Sequence, residues 1–67
     1  MKFSPGDRVV RLIGYNRGGQ TGVVVRALAE DDPDFVYIVF DIDQNRYGSY
    51  PDRIELIQKV DDFEMDA

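Results

Sequence analysis

Two short stretches hold most of the groups in this chain that could do chemistry. "GYNRGGQ" at residues 14–20 sets Tyr15 and Arg17 among three glycines. A ring that can stack and a guanidinium that can meet phosphate or carboxylate thus sit on a pliable, approachable backbone. "EDDPD" at residues 30–34 gathers Glu30, Asp31, Asp32 and Asp34, a carboxylate density that suits a hard cation or a basic protein surface. Calcium is the poorer match, because the alternating spacing of acids that wraps the ion is missing and Pro33 stiffens the run. A solvated acidic loop is the simpler reading, and no metal or other cofactor is expected. Tyr15, Tyr37, Tyr47 and Tyr50 form a third group. Tyrosines in a cluster serve as a stacking platform for bases, a cage for methylated lysine or an anchor for a protein. In so small a chain at least two should be structural, with Tyr47 or Tyr50 covering the core.

Catalysis has little to work with. The chain has no cysteine and no histidine, which removes the usual nucleophile–base pairs and a Cys/His zinc site. Ser4 and Ser49 have no evident base beside them, and the paired carboxylates fall in acidic stretches where solvent surrounds them. An enzyme is not expected.

The elements that must carry these residues are short. Pro5-Gly6, Gly14, Gly18-Gly19, Gly22, Pro33, "DQN" at 43–45, Gly48 and Pro51 punctuate the chain. Between them lie "RVVRLI" (8–13), "GVVVRALA" (22–29), "FVYIVFD" (35–41), "RYGSY" (46–50) and "IELI" (54–57), mostly β-branched and too brief for helices. Five short strands with frequent turns predict a small all-β barrel over residues 1–58. Alternation in the third run sends Val36, Ile38 and Phe40 to the core. The first two runs leave their buried face undecided, since Val9 shares a side with Arg11, and Val10 with Leu12. Pro51-Asp52-Arg53 suits one tight turn before the last strand returns to the first through Ile54 and either Leu56 or Ile57. Residues 59–67 read as a flexible acidic tail, with Val60, Phe63 and Met65 spaced for a short helical turn on binding.

Size and charge narrow the class. A chain of 67 residues is one small domain, and such a domain buries only about 60% of its unfolded surface. No apolar run has the length of a signal peptide or a membrane span, so the expectation is a soluble, cytoplasmic protein. The net charge is -5, with a pI near 4.4. It is unevenly placed: residues 1–29 set five basic side chains against Asp7 alone, and residues 30–67 set three against twelve acids.

"PGDRVVRL", a glycine-bearing loop, "TGVVV", "VYIVFD" and "YPDRIELI" together resemble the small SH3-like barrel, in its KOW-type and related bacterial and phage versions. The resemblance covers roughly residues 3–58. Its quoted elements have physical reasons: Gly6-Asp7 for a tight turn into the first strand, Gly22 for curvature or close backbone approach, and Asp41 for binding amides of the next turn. It implies a five-stranded SH3-like barrel and leaves function open, since the fold serves ribosomal and transcription modules, complex subunits and regulators alike. The peptide-binding SH3 pattern is missing, with no "ALYDY" and no tryptophan, so a proline-rich ligand is not expected.

Nucleic-acid affinity begins with phosphate neutralisation, which an acidic chain opposes. The favoured expectation is therefore a regulatory or accessory protein-interaction module, binding a partner protein with a basic surface and at the limit mimicking nucleic acid. Tyr15, Arg17, Tyr37, Tyr50, Asp31, Asp32 and Asp34 are its expected contacts, and Asp61, Asp62 and Glu64 add negative charge in the tail. The first alternative is a KOW-like RNA- or DNA-contacting module of the transcription or translation machinery, using Tyr15, Arg17 and Arg26. The second is a structural accessory subunit whose free sheet edge a neighbour completes. Arg8, Arg11, Arg26 and Arg46 equally suit cross-strand pairing with the acids.

Overall fold

The computed structural model describes residues 3–60, so the expected behaviour of residues 61–67, with Phe63 and Met65, lies outside the described residues. Five strands form one antiparallel sheet: β1 (Arg8–Arg11), β2 (Thr21–Val25), β3 (Val36–Phe40), β4 (Arg46–Ser49) and β5 (Ile54–Gln58). Their spatial order is β4-β3-β2-β1-β5. The first four strands meander, and the last returns to the free side of β1, pairing Arg11 with Ile54 and Val9 with Leu56. β4 and β5 are the edges of an open sheet. No helix among the described residues is long and apolar enough to cross a membrane.

Period-two alternation sorts the side chains. Val36, Ile38 and Phe40 are buried, as their spacing predicts, with Val9, Val24 and Ile54 from the neighbouring strands. Phe3 and Tyr47 pack against this cluster. Cross-strand register settles the two runs whose period was ambiguous. Val24 stands opposite Ile38 and must share its face, and Val9 stands opposite Gly22, two residues before Val24. Gly22 is there because nothing else fits: a Cβ would lie 2.6 Å from the Val39 carbonyl oxygen and 2.7 Å from Ile38 Cγ2. Two strands approach closely at that point, and the sheet curls across it.

The strands are shorter than the apolar runs that contain them. β2 stops at Val25, whose partner Tyr37 is the last in the ladder, and Arg26 to Ala29 lead away exposed. Asp31 then closes the loop, its carboxylate accepting the Leu28 amide at 2.6 Å while its own amide donates to the Leu28 carbonyl. Pro51–Arg53 forms a single 3-10 turn, with the proline where no amide hydrogen is needed. Of the two apolar candidates after Ile54, neither is buried: Leu56 and Ile57 are each about half exposed.

Asp7 ties the two ends of the described chain. Its side chain is fully buried, and one oxygen accepts the Val60 amide at 2.7 Å. The other accepts the Ser4 amide at 2.8 Å and the Lys59 ammonium at 3.0 Å. Burial pushes this carboxyl up, but the two amides and the ammonium outweigh it and hold the pKa below the usual value. Lys59 and Val60, assigned to the tail by composition, thus belong to the body of the fold. Asp41 departs from its expected role as well: it binds the Arg8 guanidinium and the Thr21 hydroxyl rather than amides of the following turn.

Candidate protein-docking surface

Arg11 organises the first loop. It follows Val9 on the inner face of β1, is 4% exposed, and is paired with no carboxylate among the described residues. Nε donates to the Asn16 carbonyl at 2.9 Å, and the terminal nitrogens donate to Ser49 Oγ and, at 3.3 Å, to the Tyr47 hydroxyl. One side chain therefore joins β1, the 14–20 loop and the far edge strand β4, which requires a strongly curled sheet. Its guanidinium also lies 5.6 Å from the Tyr15 ring centre and 5.0 Å from that of Tyr47.

The loop is held rather than loose. Gly18 donates to the Tyr15 carbonyl at 2.9 Å and Gly19 to the Arg11 carbonyl at 2.8 Å. Arg17 sits inside that turn at φ +68°, a left-handed backbone that side-chain contacts must sustain. Those contacts are Asp43 at 2.8 Å, Gln20 at 2.9 Å and the face of Phe40 at 4.8 Å. The bond to Asp43 raises the pKa of Arg17 and lowers that of its partner. Arg17 is thus paired with Asp43 within the fold.

The acidic loop is similarly committed. Asp31 pairs with Arg46, whose bond, with that from the Leu28 amide, lowers the carboxyl's pKa. Asp32 accepts the Asp34 amide at 2.9 Å, and its own amide donates to the Tyr37 hydroxyl at 3.0 Å. Arg46 in turn covers the Tyr37 ring at 4.4 Å. Tyr37 is thus held between the acidic loop and Arg46, and Gly48 makes room for it: a Cβ there would stand 2.8 Å from the ring. Asp34 keeps an exposed side chain with no ion pair among the described residues, and Arg26 is likewise exposed and unpaired.

Of the expected aromatic contacts, Tyr15 and Tyr50 stay open, at 42% and 46% exposed. The residue that brings them together is Arg53, which spacing alone did not single out. Its guanidinium lies 4.8 Å from the Tyr15 ring centre and 5.1 Å from that of Tyr50. The Tyr50 ring meets Phe35 edge-on at 4.7 Å, and Phe35 stands 6.2 Å from Tyr37. Tyr37, Phe35, Tyr50, Arg53 and Tyr15 thus make one continuous row, with Tyr15 and Tyr50 as its open members. The available signal was Pro51-Asp52-Arg53 itself, because a one-turn helix fixes where its third residue projects.

The exposed charges of the sheet are unequally paired. Arg8, Arg17 and Arg46 are each bound to a carboxylate, whereas Glu30, Asp34, Asp52 and Glu55 are exposed without an ion pair among the described residues. Asp52 and Asp34 immediately precede Arg53 and Phe35 of the row. No group of three acidic, histidine or cysteine side chains is arranged to hold a metal among the described residues. No protein-family model matches the chain, and no curated protein is significantly similar to it.

Proposed function

We propose that the chain is a non-enzymatic protein-interaction module on an SH3-like barrel, regulatory or accessory, that docks a partner presenting a basic surface. The strand order supports the barrel class: a four-strand meander, then a one-turn helix, then a last strand returning to β1. The observation that carries the function is the pairing of charges. Of the two arginines expected to meet phosphate, Arg17 is bound to Asp43 and Arg26 alone stays unpaired, while Glu30, Asp34, Asp52 and Glu55 are exposed with no ion pair among the described residues. Exposed tyrosines supply large contact area at small entropic cost, and unpaired acids steer a basic partner into register. Tyr15, Tyr50, Asp34 and Asp52 are the contacts this reading now favours. Tyr37, Asp31 and Asp32 support the surface from behind.

Affinity capture from host lysate, split into nuclease-treated and untreated halves, tests it. The expected result is one protein retained in both halves and lost with the Tyr15→Ala/Tyr50→Ala double variant. Recovery that vanishes with nuclease, and with Arg26→Ala, would replace this reading by the nucleic-acid one. Retention that ignores both sets of substitutions would point to a sheet edge, β4 or β5, as the contact.

A further inference from the structure

Arg53 is held in a way that no other cation of the sheet surface is. Arg8, Arg17 and Arg46 each have a carboxylate, but the Arg53 guanidinium makes no hydrogen bond or ion pair among the described residues and rests only against the Tyr15 and Tyr50 rings. Beside it in sequence is Asp52, and before the adjoining ring of Phe35 is Asp34, and neither has an ion pair among the described residues. Arg53 and these two acids are thus close in sequence to members of the row without pairing among the described residues. A three-residue turn tethers Arg53 at its last position, against the two rings.

We propose that the space between Tyr15 and Tyr50 is a slot for an arginine side chain of the partner, and that Arg53 occupies it as a placeholder. The inference rests on the docking reading above and names the group that the surface recognises. Ring faces attract a guanidinium through their quadrupole. An untethered arginine entering from outside gains the same two faces, and the chain's net charge of -5 draws it in. The opposite assignment makes Arg53 a fork for a partner's carboxylate, a ligand that the chain's net charge of -5 repels. Each exposed guanidinium–ring contact is worth a few-fold in equilibrium constant, so competition from Arg53 holds affinity back by about 5- to 30-fold.

The experiment is a titration of the whole chain with a short Gly-Ser peptide carrying spaced arginines, followed by NMR shifts of Tyr15 and Tyr50. The same peptide with glutamine in place of arginine is the control. Arg53→Ala is expected to bind the arginine peptide about 5- to 30-fold more tightly than the parent, with Arg53→Lys between the two. Arg53→Gln, which keeps the stem, should tighten binding as well and covers a failure of the alanine variant to fold. Tyr15→Ala should abolish binding in either background. If the parent binds and neither neutral variant is tighter, the placeholder is refuted and docking stands. If loss of Arg53 weakens binding and a glutamate peptide binds the parent better, the fork replaces the slot. If neither the parent nor the neutral variants bind the arginine peptide, the docking reading falls and the slot with it.

Discussion

Replacing Asp7 by asparagine probes the tie between the two ends of the sheet. The buried carboxylate receives two backbone amides, from Val60 at 2.7 Å and Ser4 at 2.8 Å, and the Lys59 ammonium at 3.0 Å. Asparagine has the same outline, but one of its two acceptor positions becomes a donor, so at least one of those amides faces an N–H. A buried hydrogen bond to a charged group is worth roughly 1.5–3 kcal/mol. Lys59, whose side chain is 52% exposed, adds at most about 1 kcal/mol because solvent screens it. A total near 3 kcal/mol lowers Tm by roughly 12–24 °C in a domain of this size. Thermal and urea unfolding can be followed by tyrosine emission, since the chain has no tryptophan. Lys59→Met, alone and combined with Asp7→Asn, separates the ammonium from the amides in a double-mutant cycle. A shift under about 4 °C with unchanged denaturant slope, meaning less than about 1 kcal/mol, would refute the tie.

Other substitutions bear on the loops and the sheet. The carboxyls of Asp7, Asp31, Asp41 and Asp43 all titrate below their ordinary value, Asp41 at about 2 because of Arg8 and Thr21. Their folded-state pKa values lie below the unfolded ones, so the stability they add is present above about pH 4 and lost as pH falls towards about 2. A Tm-versus-pH series should therefore be flat near neutrality and steep in acid, with the acid limb shallower in Asp41→Asn. Gly22→Ala forces a Cβ against the Val39 carbonyl and should cost roughly 2–3 kcal/mol or prevent folding; a Tm within a few degrees of the parent would contradict the close approach. Asp31→Asn should raise amide exchange at Leu28 while leaving the surface acids in place, whereas Asp34→Asn should spare the fold and weaken partner binding. The reverse pattern would mean that the roles of these two acids have been exchanged.

Strand number and the core of β3 were legible because alternation and β-branching are local properties. Val36, Ile38 and Phe40 follow from their own spacing. The buried faces of β1 and β2 were not legible, because register with a distant strand decides them, as Val24 opposite Ile38 does. The site was half legible. Residue types pointed to Tyr15 and Tyr50, but acid–arginine pairing is a long-range matter. Nothing near Arg17 in sequence announces Asp43, and nothing near Asp31 announces Arg46. The row's missing members, Phe35 and Arg53, were read as strand and turn residues because only three-dimensional proximity joins them to the tyrosines.

The shared carboxylate of Asp7 has a topological consequence. Ser4 and Val60 both hydrogen-bond to it within 2.8 Å, so these two residues, far apart in sequence, are spatial neighbours. The polypeptide between them traces a nearly closed ring. A few residues of linker should suffice to join Val60 to Ser4, and the ring can then be cut elsewhere. Opening it at Ala27–Ala29, exposed and outside every strand, interrupts no ladder and leaves the row from Phe35 to Tyr15 intact. The same geometry lets the sheet be inserted into a loop of a host protein, attached at a single corner.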